Sequence, residues 1–300
     1  MIKVNGIKIN VEHFPDGTQR IMHFNSELFN IPTENTSPYY EILWLYENDS
    51  EMFTLQCVVS HIRNNNKYSN NCVLNLVMPY LPNARMDRTN SEEEVFTLKY
   101  FANFINNLNF NRVGVLDPHS NVTSALINNM VEFNHIGLNI TTSLSNISND
   151  FNGDIFSSIS IYFPDEGSYK RYKKYFKTDI VRYCVYGKKV RDWKTGQILG
   201  LEIYNENDEK VTEKDIKDKI FLMIDDIVSY GGTMAYGADK LKELGAKEVY
   251  AYASHTENSI LDKEKGTLLK RIENGTVKKL FTTNSIYSGT NKNIELVYEY

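Results

Sequence analysis

The sequence predicts an α/β protein of two domains, each built on a mainly parallel sheet flanked by helices. Three observations predict it. Short β-branched runs alternate with helix-periodic ones along the chain, the pattern of strand–helix–strand units. A length of 300 residues suits two cores of ordinary size. A polar stretch at 141–154, rich in Ser, Asn and Thr, divides the chain into 1–147 and 148–300.

In the first half, the apolar runs at 42–46 and 72–78 read as buried strands. Between them Met52, Leu55, Val59 and Ile62 recur at helical spacing, and the Asn-rich residues 64–71 read as a loop. Ser91 followed by Glu94 has the form of a capping box, opening a helix with the stripe Leu98, Phe101, Ile105 and Leu108. A strand at 112–117 ends at Pro118 and His119. In the second half the expected strands are 155–163, 180–186, 220–224, 248–254 and 277–282. The expected helices are a basic one at 168–177 and one at 234–244 closed by Gly245, and residues 187–200 read as irregular.

Composition excludes several classes. A chain 41% hydrophobic is not disordered, and no apolar run approaches the roughly 20 residues of a membrane span. No secretory signal follows Met1. Cys57, Cys72 and Cys184 lack metal-ligand spacing and fit reduced thiols in a cytoplasmic protein. A net charge of −5 argues against nucleic acid as partner. Between Lys170 and Lys194, however, ten basic residues face two acidic ones. This is either a solvated face or a rim for a small polyanion.

The chemistry concentrates at 220–233. An apolar strand delivers Asp225 and Asp226 to its C-terminal end, Ser229, Tyr230, Gly231, Gly232 and Thr233 follow as a glycine loop, and a helix begins. In parallel α/β sheets ligands sit beyond the carboxyl ends of strands. Glycines let backbone N–H groups turn towards an anion, and a helix N-terminus adds positive potential. Adjacent carboxylates suit the two hydroxyls of a ribose, a hydrated magnesium ion, or both. An acid pair alone more often caps a helix; strand, acid pair, glycine loop and helix together are far more specific.

This segment resembles the phosphoribosyl pyrophosphate signature of type I phosphoribosyltransferases, as do Gly245–Tyr250 and Ser254-His255-Thr256 after it. The back half alone leaves any such enzyme open, and the front half narrows the resemblance. Val77-Met78-Pro79-Tyr80-Leu81-Pro82-Asn83-Ala84-Arg85-Met86-Asp87-Arg88 resembles the P-Y-x-x-Y-A-R-Q-D-R segment of ribose-phosphate diphosphokinases, the phosphoribosyl pyrophosphate synthetases. Leu116-Asp117-Pro118-His119 looks like their D-L-H motif and Phe14-Pro15-Asp16-Gly17 like their F-S-D-G-E turn. Pro164-Asp165-Glu166-Gly167 matches S-P-D-x-G, and Thr283-Asn284-Ser285-Ile286 matches T-N-S-I.

The resemblance implies two phosphoribosyltransferase-like domains, ATP as co-substrate and Mg2+ as cofactor. The β,γ-diphosphoryl group of ATP would pass to the anomeric hydroxyl of ribose 5-phosphate, with release of AMP. It assigns Arg85 and Asp87 to the ATP site, and Phe14 and Asp16 to the adenine of ATP bound by a neighbouring subunit, hence a homo-oligomer. His119 and Asp165 would attend the metal; Asp165, Asp225 and Asp226 the ribose; and Ser229, Tyr230, Gly231, Gly232 and Thr233 the 5-phosphate. Lys188, Lys189 and Arg191 would belong to a mobile basic loop closing over the diphosphate, with the catalytic lysine either Lys188 or Lys189. His119 and Asp226 are expected to line one cavity. For Phe14 the plain alternative is a core aromatic, for His119 a structural histidine, and for the basic loop a solvated one.

The sequence also departs from the family. Its phosphate loop has Ser229-Tyr230 where D-T-x-G-T is usual, Ser120-Asn121-Val122-Thr123 replace Gln-rich residues after His119, Thr18 replaces a Glu, and Phe14 stands close to Met1. One reading keeps ribose 5-phosphate as acceptor. The alternative is ADP-ribose, giving ADP-ribose pyrophosphate for NAD synthesis, with Tyr230 offering a stacking face. A non-catalytic regulatory homologue would not need the acidic and basic site residues. A transferase joining a base to ribose would leave the front-half motifs unexplained.

Overall fold

The computed structural model describes residues 1–22, 38–64, 72–151, 158–176, 183–191 and 198–300. The chain forms two compact units, Met1–Asn134 with Tyr300, and His135–Glu299.

The first unit comprises β1 (Ile2–Val4), β2 (Ile7–Lys8), β3 (Asn10–His13), β4 (Gln19–Met22), β5 (Tyr39–Trp44), α1 (Ser50–Asn64), β6 (Val73–Val77), α2 (Thr97–Asn107), β7 (Arg112–Val115), α3 (Val122–Leu126) and β8 (Met130–Glu132). Its sheet runs β2-β1-β5-β6-β7-β8, parallel from β5 to β8 and antiparallel at the β1–β2 edge. Trp44, Leu74, Leu76 and Val113 from the sheet meet Leu55, Val59 and Ile62 of α1 and Leu98, Phe101 and Ile105 of α2 in one core. β3 and β4 make a separate two-stranded hairpin.

The second unit comprises α4 (Ile136–Asp150), β9 (Ile159–Phe163), α5 (Glu166–Tyr172), β10 (Cys184–Arg191), β11 (Ile198–Asn205), α6 (Glu213–Ile216), β12 (Ile220–Val228), α7 (Gly232–Glu243), β13 (Glu248–Thr256), α8 (Thr267–Glu273), β14 (Leu280–Thr283) and β15 (Ile294–Tyr298). Its sheet runs β11-β10-β9-β12-β13-β14-β15, parallel except at the β10–β11 edge. β9 and most of β12 are buried, which is why 220–224 is a continuous apolar run rather than an alternating one. The expected α/β class, with parallel-dominated sheets and flanking helices, is what the chain adopts. No helix among the described residues is long and apolar enough to cross a membrane.

Four local expectations differ from the structure. Residues 141–150 of the polar stretch are helical, the C-terminal part of α4, which belongs to the second unit. Ile136, Ile140, Leu144 and Ile147 form a buried stripe hidden among Ser and Asn, and Asn139 Nδ2 donates to the Tyr252 hydroxyl of β13 at 3.3 Å. Ser91–Glu94 does not open a helix: Glu94 Oε2 accepts the Asn90 N–H at 2.7 Å and closes a turn, and α2 starts at Thr97 without a side-chain cap. The expected strand at 42–46 lies earlier, at Tyr39–Trp44.

The fourth is the largest. Residues 184–191 and 198–205 are paired strands, where the charge run had read as irregular from residue 187. Cross-strand packing of Val185 and Ile203 into the core holds them. Expectations for 65–71, 152–157, 177–182 and 192–197 lie outside the described residues.

Candidate active site

In the second unit the carboxylates sit one residue type apart in environment. Asp225 and Asp226 lie within β12, which continues pairing with β13 through Val228↔Thr256. Asp226 is buried, and Asp225 is partly so. α5 approaches β12 with one face. Asp165 caps that helix, its Oδ1 accepting the Ser168 N–H at 2.9 Å and the Ser168 hydroxyl at 3.1 Å. The same hydroxyl lies 2.8 Å from Asp225 Oδ1, which also accepts the Asp226 N–H at 3.0 Å. One turn on, Arg171 Nη1 stands 3.7 Å from Asp226 Oδ2. Burial, then the charges of Asp226 and Asp165, push the Asp225 carboxyl well above the usual carboxylate range against the opposing pull of Ser168. Asp165 and Asp225 thus share the Ser168 hydroxyl, and Asp226 lies against Arg171 of the same helix.

The loop that follows is braced from outside. Gly231 takes φ +78°, and a Cβ there would lie 2.3 Å from Leu268 Cβ, so only glycine fits. The Tyr230 carbonyl accepts the Leu268 N–H at 3.1 Å and the Thr267 hydroxyl at 2.8 Å. α8 therefore clamps the loop from which α7 springs, and no side chain caps the first turn of α7, whose N–H groups face the loop by the geometry of any helix start. Tyr230 is 40% exposed, with Lys265 Nζ 5.9 Å from its ring centroid. Asp262 Oδ1 holds the backbone of that lysine by accepting the Glu264 and Lys265 N–H groups, each at 2.8 Å.

The basic residues stand on β10. Lys188 pairs with Asp208 and lies 4.5 Å from the Tyr204 ring centroid and 5.4 Å from that of Tyr186. The bond to Asp208 raises its ammonium further above the usual lysine value. Strand alternation turns Lys189 to the other face, where it is exposed. At Lys188, Lys189 and Arg191, where a mobile loop was expected, the chain forms a strand paired with β11, and Lys188 finds Tyr204 on that partner strand and Asp208 just beyond it, partners that local sequence does not reveal. The Arg191 side chain lies outside the described residues.

Beneath β10 and α7, the Tyr162 hydroxyl is buried without a hydrogen-bond partner. Gly187 and Gly237 make room for it, since a Cβ at either would lie within 2.6 Å of its ring or hydroxyl. Burial, reinforced by the charges of Asp165 and Asp225, raises its pKa.

In the first unit the matched segments also sit together at strand ends. The Leu116 N–H donates to the Pro79 carbonyl at 2.9 Å, joining the ends of β6 and β7. Asp117 is buried at φ +40°, a backbone state uncommon for a residue with a side chain. His119 beyond it is exposed rather than packed in the core. Ser120 Oγ accepts the Val122 N–H at 3.2 Å and starts α3, the local use of the residues that replace the Gln-rich segment. Arg85 is exposed on an irregular turn, with Asp87 partly buried and 3.9 Å from Arg88. Phe14 lies on the turn of the β3–β4 hairpin, 51% exposed, so it is not a core aromatic. Asp16 Oδ1 closes that turn by accepting the Thr18 N–H at 2.9 Å and hydroxyl at 2.7 Å, which lowers its pKa.

Sequence reasoning missed Ser168, Arg171, Asp208, Tyr162 and Thr267. Only Ser168 and Arg171 carried a signal: three residues apart after a capping Asp165, they share a helix face. Among the described residues no three His, Cys, Asp or Glu side chains form a ready metal site.

A phosphoribosyl transferase domain model matches residues 172–286. The ribose-phosphate pyrophosphokinase of Bacillus subtilis is 30% identical over 223 residues, covering 74% of this chain and 62% of that protein. That of Corynebacterium ammoniagenes is 30% identical over 227 residues, covering 75% and 64%. The chain thus spans somewhat less than two thirds of the length of these relatives. A crystal structure of phosphoribosylpyrophosphate synthetase from Mycobacterium smegmatis superposes with a TM-score of 0.65 at 14% identity, covering 97% of this chain and 86% of that one. By sequence over about three quarters of its length the chain is similar to ribose-phosphate pyrophosphokinases, and over nearly all of its length it shares the fold of a phosphoribosylpyrophosphate synthetase.

Proposed function

We propose that the chain is an ATP-dependent diphosphokinase that transfers the β,γ-diphosphoryl group of ATP to the anomeric hydroxyl of a ribose 5-phosphate moiety. The observation that carries this reading is the second unit's assembly: Asp225 and Asp226 side by side on β12, followed by the loop that α8 clamps at Tyr230 and Gly231. The carboxylates would take the vicinal hydroxyls of the sugar, and the loop 229–233 its 5-phosphate. ATP would be held through Arg85 and Asp87, with the exposed Phe14 and Asp16 serving the adenine of a neighbouring subunit in a homo-oligomer. The hydroxyl oxygen attacks Pβ in line, the bond to the bridging oxygen of AMP breaks, AMP departs and the hydroxyl proton is released. Such transfer depends on positioning and charge neutralisation, which Lys189, Arg191 and a released Lys188 would supply from β10.

Mg2+ usually takes one or two carboxylates and completes its shell with substrate phosphates and water. Asp165 and Asp225, brought together at the Ser168 hydroxyl, would offer it two carboxylates, and His119 would stand beside the nucleotide phosphates. When bound, the ion would neutralise the diphosphate.

Ribose 5-phosphate is the first acceptor. ADP-ribose is favoured as a second by one observation: Tyr230 presents an open ring beside Lys265, where a smaller and acidic pair is usual in the family. Incubation with ATP, Mg2+ and each acceptor, with products resolved by mass, tests both. A gain of one diphosphate on ribose 5-phosphate supports the first reading and on ADP-ribose the second. Absence of AMP and of diphosphorylated product with either contradicts the proposed activity.

A further inference from the structure

The twin aspartates are not left to orient themselves. Ser168 and Arg171, three residues apart on α5, each reach one of them: Ser168 Oγ to Asp225 Oδ1 at 2.8 Å and Arg171 Nη1 to Asp226 Oδ2 at 3.7 Å. Residues so spaced lie on one helix face, and the register of that face is set by Asp165, which caps the helix through the same Ser168. Both partners of the ion pair are largely withdrawn from solvent, with side-chain exposures of 25% for Arg171 and 10% for Asp226. A pair so placed is screened far less than a surface one.

We infer that Arg171 is a positioning residue for the sugar site, holding the Asp226 carboxylate in one orientation while Ser168 holds Asp225, so that the two acids meet the acceptor from fixed and different settings. The inference rests on the proposed sugar-binding role of the pair. It adds that a third side chain, on a different element, determines how well that pair works. A carboxylate without its cation turns towards water or towards other donors, and a diol that requires both acids in one orientation then binds weakly. Lysine retains the charge but lacks the guanidinium's planar fork, so it should restore part of the effect.

The test uses the full chain with two readouts. Acceptor affinity is measured by calorimetry with ribose 5-phosphate and with ADP-ribose, and steady-state kinetics are measured for ATP and acceptor separately. Arg171→Gln is expected to weaken acceptor binding and raise its KM roughly tenfold, the scale of losing one partly desolvated ion pair, while the KM for ATP stays within about twofold. Arg171→Lys recovers part of the loss, and the melting temperatures of both variants guard against misfolding as the cause. In an Asp226→Asn background, Arg171→Gln adds less than about twofold, because its influence passes through the missing carboxylate.

Unchanged acceptor binding in Arg171→Gln overturns the inference, and so does a full additive loss in the double variant, which would mean that Arg171 touches the ligand itself. The proposed activity fails separately: wild-type protein that binds an acceptor but releases no AMP contradicts the reaction, while the binding ratios still decide the role of Arg171. Wild-type protein that binds neither acceptor overturns both.

Discussion

Asp226→Asn lowers turnover about a hundredfold to a thousandfold, the scale of removing a positioned charged group from a reacting assembly, while ATP affinity stays within about twofold. The asymmetry follows from where the residue stands. Asp226 is buried on β12 beside Arg171, and the residues proposed for ATP, Arg85 and Asp87, belong to the other unit. The amide keeps the shape of the carboxylate but not its charge, so it removes the ion pair with Arg171 and offers the sugar a donor where an acceptor stood. Single-turnover assays with saturating ATP, beside nucleotide binding by calorimetry, check it. Turnover near wild type would remove Asp226 from the site.

Gly231→Ala damages the same site by a different route. At φ +78° an L-residue costs about 1–2 kcal/mol, and the new methyl would lie 2.3 Å from Leu268 Cβ, so α8 must shift. The loop loses the support that Thr267 and Leu268 give the Tyr230 carbonyl. We expect a melting temperature lower by roughly 5–10 °C and acceptor affinity weaker by about tenfold or more. Gly275→Ala is the internal control. Its φ is +80° with no atom near the added methyl, so it carries the backbone cost alone. The excess of Gly231→Ala over Gly275→Ala measures the clamp, and equal effects on both melting temperature and acceptor binding would mean that α8 does not brace the loop.

The site was legible where local chemistry determines it. An apolar run into Asp225-Asp226 and then Gly231-Gly232 reads as a buried strand that carries the acids towards its C-terminal end before a glycine opens the turn. The strands of the parallel sheets were legible for the same reason, although β12 extends to Val228 because β13 continues to offer it backbone partners. Three other features were hidden, each for its own reason. The hairpin of β10 and β11 looks like a charged loop until Tyr204 and Asp208 are placed against Lys188. Helix α4 looks like a linker because its four buried aliphatic residues are diluted by Ser and Asn. Ser91 and Glu94 satisfy the capping spacing, yet Glu94 finds the Asn90 N–H first. Arg171 stood within a basic run, where only its spacing from Ser168 after the capping Asp165 set it apart from its neighbours.

The central claim is that a sugar held by Asp225 and Asp226 receives a diphosphoryl group from ATP. ATP labelled at the β-phosphorus, incubated with Mg2+ and ribose 5-phosphate or ADP-ribose, tests it most directly. The account predicts label on the acceptor in equal amount to AMP, with both lost together in Asp226→Asn. Label remaining in ADP, AMP formed without acceptor, or transfer undiminished in Asp226→Asn would contradict it.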